Sequence, residues 1–474
     1  MTKSATTGRR SARRGETTAA DIATFPNAVR YLLDRVDFER MRVVRFDGAT
    51  FKLDRMREIM NAIGNPHEQI RLVHVAGTVG KGSTVAMIAS MLEGCGYAVG
   101  QFTSPHLVDV RERISINGAL ISRQDFKDLV REVAIAAESI DIDPTFFEVT
   151  TAVALKHFAE QAVDLAVIEV GLGGRLDSTN IVTPEASVIT HIDIDHTQIL
   201  GRTLPEIAAE KAGIMKRGVP AITFQQDPAV LAVLERTAEE VGAPLRVIGR
   251  DIEFSHRFGA SPNLGPHTRV CVISETSQFM HLPVPLPGEH QAVNCALALA
   301  VIDTLKCNGF KCGEVPMLDG LTATRTAGRM DLLWEHPRIL ADGAHNPVAM
   351  GALMRSVGAH LPYDSMVCVF GCCEDKDIPA MLEKAALGGD KIIFTRAKGN
   401  PRAADPEDLQ RQFSEVSGKM SQVAPNLPKA LDLATRAVGR DDLVCVTGSF
   451  YLVGEARKYL QELKRKRRQP TTAG

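Results

Sequence analysis

Residues 72–84 read LVHVAGTVGKGST, and the reading of this stretch decides the fold. Leu72 to Ala76 is a short apolar run that ends at a glycine, which predicts a buried strand. Gly77-Thr78-Val79-Gly80-Lys81-Gly82-Ser83-Thr84 follows, and AMIASMLEGCGYAVG beyond it predicts a helix that ends in glycine. Strand, glycine loop and helix in that order form a phosphate cradle. Free N–H groups at the helix start meet the anion, and a lysine adds a point charge. The usual phosphate-loop pattern wants a glycine five residues before the Gly-Lys pair and a Ser or Thr directly after the lysine. Here Val75 stands at the first of these positions, and Gly82 separates Lys81 from Ser83. The pattern fails while its physics is kept. Taken alone, the stretch also fits a glycine turn that merely joins a strand to a helix.

Outward from this stretch, strands and helices alternate. Strands are predicted at 72–76, 97–102, 165–170, 186–190, 221–224, 338–341, 366–371, 391–395 and 443–447. Helices are predicted at 84–94, 124–138, 149–161, 206–211, 290–306, 348–359, 378–386 and 430–438. Such alternation implies a mostly parallel sheet covered on both faces, with ligands bound beyond the carboxyl ends of the strands. Between about 246 and 287 the helical period is lost, and the segment reads as hairpins on the edge of the first domain. The fold expected is α/β: a P-loop-type, mostly parallel-sheet ATPase domain followed by a smaller Rossmann-like C-terminal domain. The break between them falls near 316–328, giving domains of 21–320 and 321–460. Residues 1–20 and 461–474 are basic and lack an apolar period, and they read as disordered tails.

Composition narrows the function. A chain of 474 residues carrying a formal charge of −2 has the size of two or three domains and no electrostatic bias toward nucleic acid. No apolar run reaches the roughly 20 residues that a membrane span needs. The nine cysteines show no zinc-finger spacing, and an odd count without a secretion signal predicts a reducing cytoplasm.

Polar groups that packing alone would not request sit just after predicted strands. They are Ser104 in Ser104-Pro105-His106, Glu169 ahead of GLGGRLDSTN, and His191, Asp193, Asp195 and His196 after ASVIT. A carboxylate, a hydroxyl and an imidazole could share a magnesium ion with phosphate and water, although imidazole is an unusual magnesium ligand. The plainer accounts are a salt bridge from Glu169 to Arg175 and a surface role for His196. His290 and Asn294 lie one helical turn apart, and the Asn294 amide suits either an adenine edge or helix packing. In the second domain, a strand ends in Asp342-Gly343-Ala344-His345-Asn346-Pro347. Asp342 could take ribose hydroxyls or cap the next helix. Arg329, on the inter-domain side, could reach phosphate, in which case the site is a cleft that closes on nucleotide.

The segments HVAGTVGKGST, FTSPHL with ERISING, EVGLGGRLDSTN, TQILGRTLPEIAAEKAGIMK, LPGEHQAVN, DGAHNP and VTGSFYLVGE follow in this order across residues 45–458. Together they resemble folylpolyglutamate synthase/dihydrofolate synthase, a branch of the Mur ligase superfamily. The resemblance implies an enzyme that uses ATP to phosphorylate a carboxylate of dihydropteroate or of a folate glutamate. The amine of L-glutamate then attacks the acyl phosphate, giving an amide, ADP and phosphate. By the same resemblance Thr78, Val79, Gly80, Lys81, Gly82 and Ser83 hold the ATP phosphates, Asn294 contacts adenine, Arg329 phosphate and Asp342 the ribose. Ser104, Glu169 and His196 would ligate Mg2+, and a carbamylated Lys211 would support a second Mg2+. Thr145, Phe146, Phe147 and Glu148, with Leu176, Asp177 and Ser178, match the positions that bind the pterin-bearing substrate. Lys81, Lys211 and His345 would serve catalysis, and a single chain, as a monomer, would complete the site.

The chemistry suits these residue types. Carboxylate and triphosphate are both anions, so transfer needs cations between them. An ammonium at Lys211 would repel magnesium where a carbamate attracts it; without the resemblance, Lys211 reads as a surface lysine paired with Glu210. The loop departs from the family where Val79 replaces an asparagine. We expect phosphate binding to rest on backbone groups and Lys81, so restoring Asn at 79 should not raise the Michaelis constant for ATP. Thr326-Ala327 likewise replaces the Trp-Pro pair frequent before Gly328-Arg329. Other readings are a synthase that accepts only folates, a nucleotide-hydrolysing switch without glutamate dependence, and a noncatalytic nucleotide-binding scaffold.

Overall fold

The structure, a computed structural model, describes residues 17–37, 53–262, 264–274 and 276–468. Its first sheet contains β1 (Leu72–Ala76), β2 (Val99–Phe102), β3 (Ile114–Ile116), β4 (Ala119–Leu120), β5 (Leu165–Glu169), β6 (Ala186–Ile189), β7 (Ala221–Phe224) and β8 (Leu245–Ile248). They lie in the order β4-β3-β2-β5-β1-β6-β7-β8, parallel from β2 to β8, with β3 and β4 antiparallel at one edge. Side chains alternate faces along each strand. Val73, Val75, Leu165 and Val167 pack under the helices Lys81–Gly94 and His290–Cys307. Leu72, Ala166 and Ile168 pack under Arg123–Ser139 and Phe146–Glu160 on the other face. Covering on both faces is why β1, β5 and β6 read as continuous apolar runs.

The chain leaves β1 toward β2 on one side and later crosses from β5 to β6 on the other. The carboxyl end of β1 is therefore a point where the winding reverses and a crevice opens. β9 (Glu253–Ser261), β10 (Gly265–Ile273) and β11 (Gln278–Pro283) form a separate antiparallel sheet, the hairpins expected from the loss of helical period. β8, at the start of that segment, instead joins the parallel sheet.

The second sheet comprises β12 (Asp331–Glu335), β13 (Arg338–Ala341), β14 (Met366–Phe370), β15 (Lys391–Phe394), β16 (Met420–Val423) and β17 (Leu443–Thr447). Its order is β12-β13-β17-β14-β15-β16, and only β12 runs antiparallel to its neighbour. The fold is thus the α/β arrangement expected: a large, mostly parallel sheet followed by a smaller one.

Two tail expectations need correction at their inner ends. The last helix, Phe450–Arg468, runs on through the basic segment, so residues 461–468 are helical. Its first half is anchored by buried Leu452, Val453, Ala456 and Leu460, and the basic residues extend that helix outward. Ordered structure also reaches back to Thr17, which is buried and hydrogen-bonds to Asp34 through its N–H and its hydroxyl. Residues 1–16 and 469–474 lie outside the described residues.

Candidate active site

Gly77 leaves β1 so close to Thr190 that a Cβ there would stand 1.8 Å from Thr190 Oγ1. The N–H groups of Thr78 and Val79 both donate to the carbonyl of His191, at 2.7 and 3.1 Å. These two amides are spent on bracing the loop against the end of β6. The anion cradle is therefore the next stretch, Gly80 to Ser83, where the first N–H groups of helix Lys81–Gly94 have no intrahelical acceptor. This brace is a main-chain contact that valine makes as well as asparagine would. Lys81 Nζ folds back to Gly77 O at 3.1 Å. Asn294 is buried with its Oδ1 against Gly80 and its Nδ2 bonded to Gln291 Oε1 at 2.9 Å, while Gln291 Nε2 donates to Ser83 Oγ. Asn294 thus packs helix His290–Cys307 against the loop and does not line the cleft; His290 and Gln291 do.

Beside the loop, Glu169 at the end of β5 is buried, and its Oε2 accepts the Ser104 N–H at 3.1 Å. Burial lifts its carboxyl above the usual range, against the pull of Lys81, Arg329, the Ser104 N–H and Arg113. Arg175 pairs with Glu210 and not with Glu169. Arg329 enters from the second unit: its guanidinium lies 2.9 Å from where a Cβ on Gly82 would stand and 5.4 Å from the Phe450 ring. Lys211 is buried, not a surface residue, and its Nζ donates to Gly77 O at 2.8 Å. Burial, with Lys81 nearby, lowers its pKa to about 7.

From the second sheet come Asp342 after β13 and the loops after β14 and β17. Asp342 accepts the Ala344 and Met330 N–H groups, both at 2.9 Å, and desolvation lifts its carboxyl to about 6. Asn346, not Asp342, caps helix Pro347–His360, which removes the capping alternative. His345 Nδ1 lies 2.8 Å from Gly343 O, and its Nε2 lies 3.7 Å from Asp195 Oδ2. Asp195, on the first unit, receives Lys376 Nζ at 2.6 Å across the cleft. Burial opposes its charge, but His196, Lys376 and His345 outweigh burial and hold the carboxylate far below its usual range.

Both units line one cleft of ≈ 410 Å³, within the range of small-molecule sites. It gathers Thr78, Val79, Gly80, Lys81, Ser83, Ser104, Glu169, His196, Lys211, Arg329, Asp342 and His345 from the expected set. Thr145, Phe147, Glu148, Leu176, Asp177 and Ser178 line it too, whereas Phe146 is buried behind, under the Arg113 guanidinium. The carboxylates of this group are engaged. Glu148 holds Arg55 and the Thr145 N–H, and Asp177 takes the Leu172 N–H together with the Thr179 N–H and hydroxyl. Both organise the loops that wall the cleft. Sequence reasoning missed Lys376 and Arg402, which face the cleft beside Asp375. For Lys376 the signal, GCCEDKD directly after β14, was a charged cluster at a strand end; Arg402 lies beyond β15, outside that cluster.

Among the described residues no three His, Cys, Asp or Glu side chains group as a metal site. The expected magnesium ligands that face the cleft are one carboxylate (Glu169), one hydroxyl (Ser104) and one imidazole (His196). So sparse a set fits magnesium, which keeps waters and shares phosphate oxygens, better than a metal needing a full protein cage.

Comparison with known proteins agrees with this geometry. Residues 75–302 match the Mur ligase middle domain, and residues 328–450 match the Mur ligase glutamate ligase domain. Fold and cleft thus define a Mur-type ligase. Dihydrofolate synthase/folylpolyglutamate synthase of Bacillus subtilis is 36% identical over 415 residues, covering 86% of this chain and 95% of the relative. Mycobacterium tuberculosis folylpolyglutamate synthase complexed with ADP and AMPPCP superposes with a TM-score of 0.83 at 30% identity, covering 93% and 99%. Escherichia coli FolC in complex with DHPP and ADP gives 0.81 at 29% identity, covering 94% and 99%. The chain belongs to the dihydrofolate synthase/folylpolyglutamate synthase family.

Proposed function

We propose that this protein is an ATP-dependent ligase that adds L-glutamate to dihydropteroate and to tetrahydrofolate and its polyglutamates through an acyl phosphate. The observation that carries the reading is one cleft in which the phosphate loop after β1 faces Asp342, His345 and Lys376 from the second sheet. Names and bound molecules of the relatives support it: dihydrofolate synthase/folylpolyglutamate synthase, ADP, AMPPCP and DHPP.

In this reading the N–H groups of Gly80 to Ser83 and the Lys81 ammonium hold the triphosphate, and Arg329 closes on it from the other unit. Asp342 takes the ribose. Glu169, Ser104 and His196 hold magnesium, which when bound neutralises triphosphate charge. Phe147, Leu176 and Ser178 wall the pterin-bearing substrate, whose carboxylate points toward Lys81. Lys376 and Arg402 are the cations available for the carboxylates of the incoming glutamate, with His345 beside its amine. Two walls around the acyl phosphate keep out water that would hydrolyse it. Lys211 is the residue proposed for carbamylation. With a pKa near 7, about half of it is neutral amine at neutral pH. That amine attacks carbon dioxide, forms a C–N bond and releases a proton to water, and an intact-mass gain of one carbon dioxide would reveal it. A monomer working in the cytoplasm completes the proposal: one chain supplies both walls, and all nine cysteines are free.

The test is ADP release with ATP, magnesium and glutamate, adding either dihydropteroate or tetrahydrofolate. Glutamate-dependent release with both acceptors is expected. Release with tetrahydrofolate alone would restrict the enzyme to folate extension, and release that ignores glutamate would overturn the reading.

A further inference from the structure

His360 is the last residue of helix Pro347–His360 on the second unit, and its side chain reaches into the first. The Gly288 N–H donates to its Nε2 at 3.1 Å, and its Nδ1 lies 3.2 Å from Pro266 O. The Phe258 ring on β9 stands edge-on to it, 5.2 Å between centroids and at 87°. A carbonyl oxygen can only accept and an amide N–H can only donate. Nδ1 must therefore carry a proton and Nε2 must not, so one neutral tautomer satisfies both partners.

What His360 holds matters to the cleft. Gly288, at φ +117°, precedes helix His290–Cys307, and a Cβ there would strike His290 and Ser356 at 2.6–2.8 Å. That helix braces the phosphate loop through Gln291 on Ser83 and Asn294 on Gly80. One turn before His360, Ser356 itself lines the cleft. A single imidazole thus joins the second unit to the turn that sets the phosphate-loop brace.

We propose that His360 is a positioning residue: its neutral Nδ1–H tautomer locks the two units together over the nucleotide cleft, and protonation releases the lock. A second proton on Nε2 would face the Gly288 N–H with another donor, so the bond is lost outright. Burial holds His360 below its ordinary range, with the Pro266 carbonyl pulling up and His267 pulling down. The sign follows: the lock is fully present above the unfolded value near 6.5 and fades as pH falls through the lowered folded value. The titratable and charged groups around it are His267 and Arg269 on β10, His256 on the Phe258 face of β9, Glu289 and His290 beside Gly288, and Arg355 on its own helix. His267 accepts from Arg269 through its Nε2, and its Nδ1 lies 2.8 Å from Gly265 O. His256 lies 3.2 Å from Glu289.

The test compares wild type, H360A and H360Q, because a glutamine amide supplies one acceptor and one donor and does not titrate. Hydrogen exchange of the Gly288 amide reads the lock directly, and calorimetry with magnesium and AMPPCP reads its effect on the cleft. Only the second readout rests on the ligase reading. Losing one buried hydrogen bond predicts roughly tenfold faster Gly288 exchange and roughly tenfold weaker AMPPCP binding in H360A at about pH 8. Between about pH 8 and pH 5 wild type should lose a further factor of about ten relative to H360Q. Equal Gly288 exchange in wild type and H360A, or an acid loss in H360Q matching wild type, would overturn the lock. If H360A does not fold, the comparison of wild type with H360Q decides alone. Wild type failing to bind AMPPCP at any pH would count against the ligase reading, and Gly288 exchange would still judge the lock.

Discussion

Replacing Gly80 by alanine tests the phosphate loop where backbone and packing both constrain it. Gly80 sits at φ +98°, and an alanine Cβ would lie 2.3 Å from Asn294 Oδ1. Left-handed backbone costs a non-glycine residue about 1–2 kcal/mol, and overpacking a tight interior adds about 1–3 kcal/mol. The loop therefore loses about 2–5 kcal/mol of its nucleotide-binding geometry, and even the lower bound is roughly a 30-fold loss of affinity. Calorimetry with magnesium and AMPPCP, beside a melting curve, measures it. In G80A/N294A the clash is gone and the backbone cost stays, so the deficit should shrink to about 1–2 kcal/mol. G80A binding like wild type, or the double variant binding no better than G80A, would refute the reasoning.

Two further predictions concern the buried charges. Lys211 is desolvated with its pKa lowered to about 7, so between about 7 and the usual 10.5 the unfolded chain binds the extra proton and stability rises with pH. In bicarbonate-free buffer K211M should melt roughly several degrees higher than wild type at neutral pH, with the gap closing toward pH 10, while turnover collapses; a lower melting point at neutral pH would contradict this. For the pair that crosses the cleft, D195N strands Lys376 in a buried site and should cost about 3–5 kcal/mol in melting or denaturant experiments. D195N/K376M should recover most of that stability and still raise the Michaelis constant for glutamate more than that for ATP.

β8, a half-buried edge strand that carries Arg246, escaped the reading, while the inner parallel strands were legible because each is a continuous apolar run covered on both faces, as in Leu72–Ala76 and Leu443–Thr447. β16 was not, because Met420–Val423 is an edge strand that alternates exposed and half-buried residues and carries no such run. The basic end of the last helix was misread for a related reason: composition suggested a tail, but the buried half of Phe450–Arg468 nucleates a helix that its charges then extend. Within the site, residues just beyond apolar strands stood out, and Lys81, Glu169 and Asp342 indeed meet on one cleft. The brace that Asn294 puts on the phosphate loop was not legible, since it depends on its approach to Gly80, more than 200 residues away in sequence. The pairing of Lys376 and the role of His360 were invisible for the same reason: their partners, Asp195 and Gly288, come from the other unit.

The central claim is that the cleft joins a carboxylate to an amine by way of an acyl phosphate. It is tested most directly by supplying dihydropteroate with a heavy-oxygen-labelled carboxylate, together with ATP, magnesium and glutamate, and weighing the phosphate released. Acyl phosphate formation leaves one carboxylate oxygen on phosphorus, so each turnover should deliver one labelled oxygen into inorganic phosphate. Glutamate-dependent product whose phosphate carries no label would contradict the account.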